Sequence, residues 1–225
     1  MKSEHLPLLN SVSAPAVHPD GARAVVSVLR PDFDADAYVG QLWVVPLDSP
    51  PEPGRPPRRL TRGFRDTAPD FSPDGRVLAF LRAAAGGKPQ LHIVEADGGE
   101  PQPVTDAPLG VSAFAWSPDS RRIVYGARTP EDGRYGSTEG VSAGSEDARL
   151  ITDYQYRMNG VGYTADKPVQ LFLVDVPEVG AEPKVAPTGR ALKATTAAAG
   201  GETSDRGSGG ASAGLLPAAK QLTTS

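Results

Sequence analysis

A tight turn recurs three times along this chain, each time between two apolar runs, and it dictates strands rather than helices. It reads Val17-His18-Pro19-Asp20-Gly21, then Phe71-Ser72-Pro73-Asp74-Gly75, then Trp116-Ser117-Pro118-Asp119-Ser120. Pro at the second turn position holds φ at about −65°, Asp at the third bonds back to its own backbone, and Gly at the fourth takes a positive φ that opens the next strand. Ser120 stands where the third copy calls for Gly, and a left-handed Ser costs about 1 kcal/mol. Pro19, Asp20, Gly21, Pro73, Asp74, Gly75, Pro118 and Asp119 are therefore read as structural turn residues.

The segments after each turn repeat as well. A largely apolar strand leaves it, as at Ala24–Leu29, Val77–Leu81 and Arg122–Tyr125. A return strand opens on Gln41-Leu42, Gln90-Leu91 or Gln170-Leu171, and the unit closes on Leu60-Thr61, Val104-Thr105 or Leu222-Thr223. A self-similar unit of about 40–55 residues holding several strands is the signature of a propeller blade. The expected fold is all-β: a partial β-propeller of about three four-stranded blades with a protruding β-hairpin and a disordered loop. The blades are placed at about 11–62, 63–106 and 107–176, and residues 220–225 are read as the closing strand of the third. Trp43, Phe71, Phe80, Phe114, Trp116 and Phe172 are assigned to the core between blades.

Two insertions interrupt the third unit. In the first, 128–168, residues 129–146 are Gly- and Ser-rich, which suggests a mobile arm, whereas Tyr154, Tyr156 and Met158 alternate ahead of Asn159-Gly160. Asn-Gly between alternating apolar residues marks a hairpin. The second, 177–219, is dominated by Ala, Gly, Ser, Thr and Pro and has too little apolar surface to offset its ordering entropy, so a flexible loop is expected.

Composition excludes several classes. With no cysteine, disulfides, thiolate catalysis and zinc–thiolate sites are out. A net charge of −4 argues against a nucleic-acid partner, and the basic run Arg55-Pro56-Pro57-Arg58-Arg59 reads as a solvated loop. No apolar stretch reaches the roughly 18 residues of a membrane span, and the first residues do not look like a signal peptide, so no membrane partner and a cytoplasmic location are expected.

Catalytic patterns are sought and set aside. Gly140-Val141-Ser142-Ala143-Gly144 and Gly210-Ala211-Ser212-Ala213-Gly214 match a nucleophile elbow only as strings, since neither has a buried strand before it and a helix after it. His92 is the last histidine and precedes both, so the hydrolase order of Ser, Asp, His cannot be assembled from them. His5, His18 and His92 are spaced as surface or turn residues, and Asp32, Asp34 and Asp36 lack the Gly and distal Glu of a calcium loop. No catalytic residue, metal site or cofactor is assigned to the chain.

The repeat, Phe-Ser-Pro-Asp-Gly with Gln-Leu and a closing Leu-Thr, resembles that of the prolyl oligopeptidase family, in its acylaminoacyl-peptidase and dipeptidyl-aminopeptidase branches. The segment Tyr154-Gln155-Tyr156-Arg157-Met158-Asn159-Gly160-Val161-Gly162-Tyr163 is similar to a Tyr-Arg-x-Asp-Gly-x-Gly-Tyr segment of its bacterial members, with Asn159 where Asp is commoner. The resemblance implies the N-terminal propeller part of a serine peptidase, ending before a C-terminal α/β-hydrolase domain that is its partner. It also implies a gating role toward short or N-acylated peptides, with Tyr156, Arg157 and Tyr163 as candidate contacts to substrate or to that domain. The alternative is a TolB-like, non-enzymatic propeller that binds a protein or polysaccharide.

Overall fold

The computed structural model describes residues 2–47, 56–180 and 216–223. A 3-10 helix, Ser3–Leu8, precedes the first blade, which consists of β1 (Ser11–Val12) and β2 (Ala16–Val17) beside β3 (Arg23–Asp32), then β4 (Ala37–Pro46) and β5 (Arg58–Arg59). The second blade runs β6 (Arg65–Phe71), β7 (Val77–Ala83), β8 (Gln90–Glu95), β9 (Gln102–Pro103). The third is β10 (Val111–Trp116), β11 (Arg122–Arg128), β14 (Val169–Asp175), β15 (Ala219–Gln221), and the insertion carries the pair β12 (Arg157–Met158) and β13 (Gly162–Tyr163). Pairing within each blade is antiparallel, a single parallel pair, Gly40 with Arg65, joins the first blade to the second, and the described sheets do not close into a ring. The fold is thus a partial propeller. Most of the expected flexible loop lies outside the described residues.

The core lies between blades. A central blade strand is covered on both faces, so it reads as a continuous apolar run, and period-two alternation sends its neighbours in opposite directions. On β7, Leu78 and Phe80 join Val25, Leu42 and Val44 of the first blade, while Ala79 and Leu81 join Val111, Ile123 and Tyr125 of the third. Phe71 and Phe80 are buried, and Phe114, Trp116 and Phe172 pack half-buried against the second seam. Trp43 departs from its assignment: Leu42 and Val44 take the seam, so Trp43 faces the other way and sits under the Arg59 guanidinium at 5.3 Å.

The repeated closing threonine works as a clasp. Thr61, Thr105 and Thr223 each accept a hydrogen bond through Oγ1 from the backbone N–H of Leu42, Leu91 and Leu171, at 3.0, 3.0 and 2.9 Å. Thr105 and Thr223 also donate to Gln90 and Gln170 Oε1, at 2.8 and 2.6 Å. The spaced Gln-Leu and Thr pairs in the sequence are therefore the two halves of one lock that holds the outer strand to the blade.

The turns are linked across blades. Within a turn, Ser72 Oγ donates to Asp74 Oδ1 at 2.6 Å and accepts from Val77 N–H at 3.0 Å, and Ser117 and Asp119 repeat the pattern with Arg122 N–H. These hydrogen bonds to the carboxylates hold Asp74 and Asp119 below the usual carboxylate range. His18, where the other copies have Ser, reaches out of its turn to the carbonyl of Gly75 at 2.8 Å; a carbonyl only accepts, so Nε2 carries the proton. Ser120, at φ 60°, accepts through Oγ from Asp74 N–H at 3.0 Å.

The Ser in the left-handed position thus offsets its strain with a link between blades. Ser120→Ala keeps the strain and loses the link, and is expected to destabilise by about 1 kcal/mol. Ser120→Gly loses the link but releases the strain, and should fall between Ala and the natural residue. Urea denaturation of the three proteins gives the order, and Gly less stable than Ala would contradict it.

His92, paired with Phe80 across β7 and β8, lies tilted against its ring, with ring centres 5.9 Å apart. Burial, then the nearby Arg82 cation, push its pKa below the ordinary value of 6.5, against the Gln90 carbonyl. The unfolded chain therefore binds this proton more readily, so stability is full above pH 6.5 and falls as pH drops below it. His92→Phe should flatten the loss between neutral and mildly acid pH, read from denaturation midpoints. An unchanged slope would show that other groups carry it.

Candidate functional site

The 129–168 insertion is not part of the blade sheet, and it stands on a two-stranded neck. β11 and β14 pair as far as Arg128 with Val169, and Thr129 N–H donates to Pro168 O and Glu131 N–H to Asp166 O, both at 3.0 Å. Beyond the neck, the Gly- and Ser-rich arm folds back as successive turns, with Ser137 N–H on Arg134 O and Ser145 N–H on Ser142 O. The hairpin is present: Arg157 pairs with Tyr163 and Met158 with Gly162, and Val161 N–H closes the turn on Met158 O at 3.1 Å. Gly160, at φ 74°, supplies the left-handed residue that this turn requires.

Arg149 is the hub that joins arm to hairpin. Its Nε donates to Asp166 Oδ2 at 2.6 Å and its Nη2 to Glu146 Oε2 at 3.0 Å. Its guanidinium lies 4.5 Å from the ring centre of Tyr163 and 5.4 Å from that of Tyr135. Tyr135 in turn donates to Asp166 Oδ1 at 2.7 Å. Burial works against the Asp166 carboxylate, but the hydrogen bonds from Arg149 and Tyr135 outweigh it and hold its pKa below the ordinary value. Burial and the bond to Asp166 push the Tyr135 phenol up to about 12. Lys167 donates to Val161 O at 2.5 Å and lies 4.5 Å over the Tyr135 ring; burial and Arg128 lower its pKa.

Of these groups, Arg149, Tyr163 and Asp166 line a cavity of about 210 Å³, together with Arg134, Ile151, Tyr156 and others. Tyr156 and Tyr163 both line its wall, ring centres 6.2 Å apart. Arg157 stays on the hairpin, exposed, with its guanidinium 5.8 Å over Tyr163. Arg134 also lines the cavity and donates to the carbonyls of Asp147 and Ala148 rather than to a carboxylate. Such an aromatic wall with arginines is suited to a short peptide segment or a facing protein surface.

Sequence reasoning finds the hairpin and misses the hub. Arg149 and Asp166 are 17 residues apart and Tyr135 and Asp166 31 apart, with no helical or strand period to connect them. The one local signal is Tyr135 between Gly133 and Gly136, where it adopts φ 56°.

The turn residues lie elsewhere, at the blade seams. His18 with Pro19, Asp20 and Gly21, Pro73 with Asp74 and Gly75, and Pro118 with Asp119 occupy the turns between paired strands of each blade, linked to one another across the seams. Ser142 sits in an exposed turn, with Oγ 3.0 Å from Ser145 Oγ and no strand leading into it; the second such string lies outside the described residues. Asp32 pairs with Arg30 at 3.1 Å and accepts from Ala35 N–H. Among the described residues no three His, Asp or Glu converge as a cation site, and no helix is long and apolar enough to cross a membrane.

No family model matches the chain. It is 34% identical over 167 residues to the uncharacterized peptidase YuxL of Bacillus subtilis, which covers 74% of this chain and 25% of that protein. It is 27% identical over 160 residues to dipeptidyl-peptidase 5 of Porphyromonas endodontalis, 70% of this chain and 22% of that one. A shorter match, 45% over 60 residues, joins 26% of the chain to 13% of the Tol-Pal system protein TolB of Rhizorhabdus wittichii. Among solved structures, the acylaminoacyl peptidase of Pyrococcus horikoshii superposes with a TM-score of 0.55 at 16% identity, over 76% of this chain and 23% of that one. The chain spans about a quarter of the length of the peptidases it matches.

Proposed function

We propose, from the premise that this chain is a β-propeller segment of the kind carried by prolyl oligopeptidase-type peptidases, that it controls access to a serine peptidase site. The catalytic site belongs to an α/β-hydrolase domain, which is the partner, and the substrates are short or N-acylated peptides. The insertion braced by Arg149 carries this reading. It is a compact module standing off the blade, and it presents Tyr156 and Tyr163 on a cavity wall with Arg157 beside them. Tyr156 and Tyr163 supply flat apolar surface, and Arg157 supplies a guanidinium for a peptide carboxylate or for an acid on the neighbouring domain.

The chain 1–225 by itself is expected to hydrolyse neither aminoacyl nor acyl-aminoacyl chromogenic substrates. Hydrolysis that disappears in Ser142→Ala or Ser212→Ala would overturn that. The mass of the polypeptide isolated from its source, with peptides mapped past Ser225, tests the gating role. Peptides running on into a Gly-x-Ser-x-Gly elbow support it, and a polypeptide that ends at Ser225 removes it. The second outcome leaves the TolB-like binding module, which the short match to TolB favours.

A further inference from the structure

We propose that Asn159-Gly160 is a site of spontaneous deamidation, so that the hairpin tip acquires a carboxylate as the protein ages. It is the one Asn-Gly pair in the sequence, and both residues are exposed. The hydrogen bond of the turn runs from Val161 N–H to Met158 O, so it bypasses the Gly160 amide that must act as nucleophile. A Cβ at Gly160 would meet nothing within 4 Å, so no neighbouring group screens the approach. The surroundings are cationic: Lys167 donates to the carbonyl of Val161, the next residue, and Arg157 lies two residues before Asn159. Positive charge close to the Gly160 amide favours its deprotonated form and the oxyanion formed on ring closure.

The step balances without any cofactor. The Gly160 nitrogen, having given up its proton, bonds to Asn159 Cγ; the C–NH2 bond breaks, and the amide leaves as ammonia with the proton. The resulting succinimide takes up one water at either carbonyl and opens to aspartate or to isoaspartate. Aspartate keeps the backbone and places a negative charge near Arg157. Isoaspartate adds a methylene to the main chain inside the turn, which breaks the pairing of Met158 with Gly162.

The chain carries its own control. Asn10, the other asparagine, precedes Ser11 at the start of β1, and its amide donates to Leu8 O at 3.5 Å. The test incubates the folded 225-residue chain at mildly alkaline pH, digests it in acid to suppress handling artefacts, and reads both peptides by mass spectrometry. The expected result is loss of the amide at Asn159 with isoaspartate detected by isoaspartyl methyltransferase, and retention at Asn10. Asn159→Gln should abolish the conversion at that peptide. Retention of the Asn159 amide in the folded chain while a urea-unfolded sample loses it would overturn the proposal, and so would equal loss at both asparagines. The chemistry needs only the hairpin tip and the cations beside it, so the result stands apart from what the domain gates.

Discussion

Phe80→Ala is expected to destabilise the protein by about 3–5 kcal/mol, the cost of removing a wholly buried aromatic side chain and leaving a cavity. Phe80 is fully buried at the middle of β7, in the seam with Val25, Leu42 and Val44. Its ring also supports Arg82, whose guanidinium lies 5.2 Å from the ring centre, and Arg82 holds the buried Asp66 by two hydrogen bonds of 2.8 and 2.9 Å. Loss of the ring therefore loosens the apolar seam and the ionic pair beside it. Because domains are stable by only about 5–15 kcal/mol, much of the folded population is at stake. Phe33→Ala, in the exposed β3–β4 loop, should change stability by no more than about 0.5 kcal/mol. Urea denaturation compares the two, and similar midpoints would show that the seams do not carry the stability.

Arg149→Met should open the insertion and leave the blades intact. The substitution keeps a long apolar stem but leaves Asp166 and Glu146, whose side chains are 10% and 4% exposed, without their cation. Each charge-assisted hydrogen bond contributes about 1.5–3 kcal/mol, so losing even one raises local opening roughly tenfold. Hydrogen exchange across 129–168 should quicken by at least that factor, while β7 and β8 keep their protection. Arg149→Lys restores the charge but not the fork or the stacking on Tyr163, so it should recover only part of the protection. Equal exchange in all three proteins would mean that the neck alone organises the module.

Much of the blade architecture is legible because its determinants are local. A Pro-Asp-Gly turn sets its own dihedrals, and an apolar run between two such turns has few options but a strand covered on both faces. The hairpin is legible for the same reason, since Asn159-Gly160 and the flanking alternation lie within a few residues. Trp43 shows the limit: alternation says that it opposes Leu42 and Val44, but not which face meets the next blade.

The residues that look like departures from the repeat show it more sharply. His18 and Ser120 read as drift from Ser and Gly, yet each makes a hydrogen bond to the neighbouring turn. The sequence by itself determined the strands, the turns, the clasp residues and the hairpin, because each is decided by backbone preferences and periodicity over a short stretch. Only the tertiary structure decided which side chains bridge the blades and how Arg149 and Asp166, braced by Glu146 and Tyr135, come to line a cavity. Those contacts join residues far apart in the chain, and the energy that selects them exists only after the blades and the neck have brought them together.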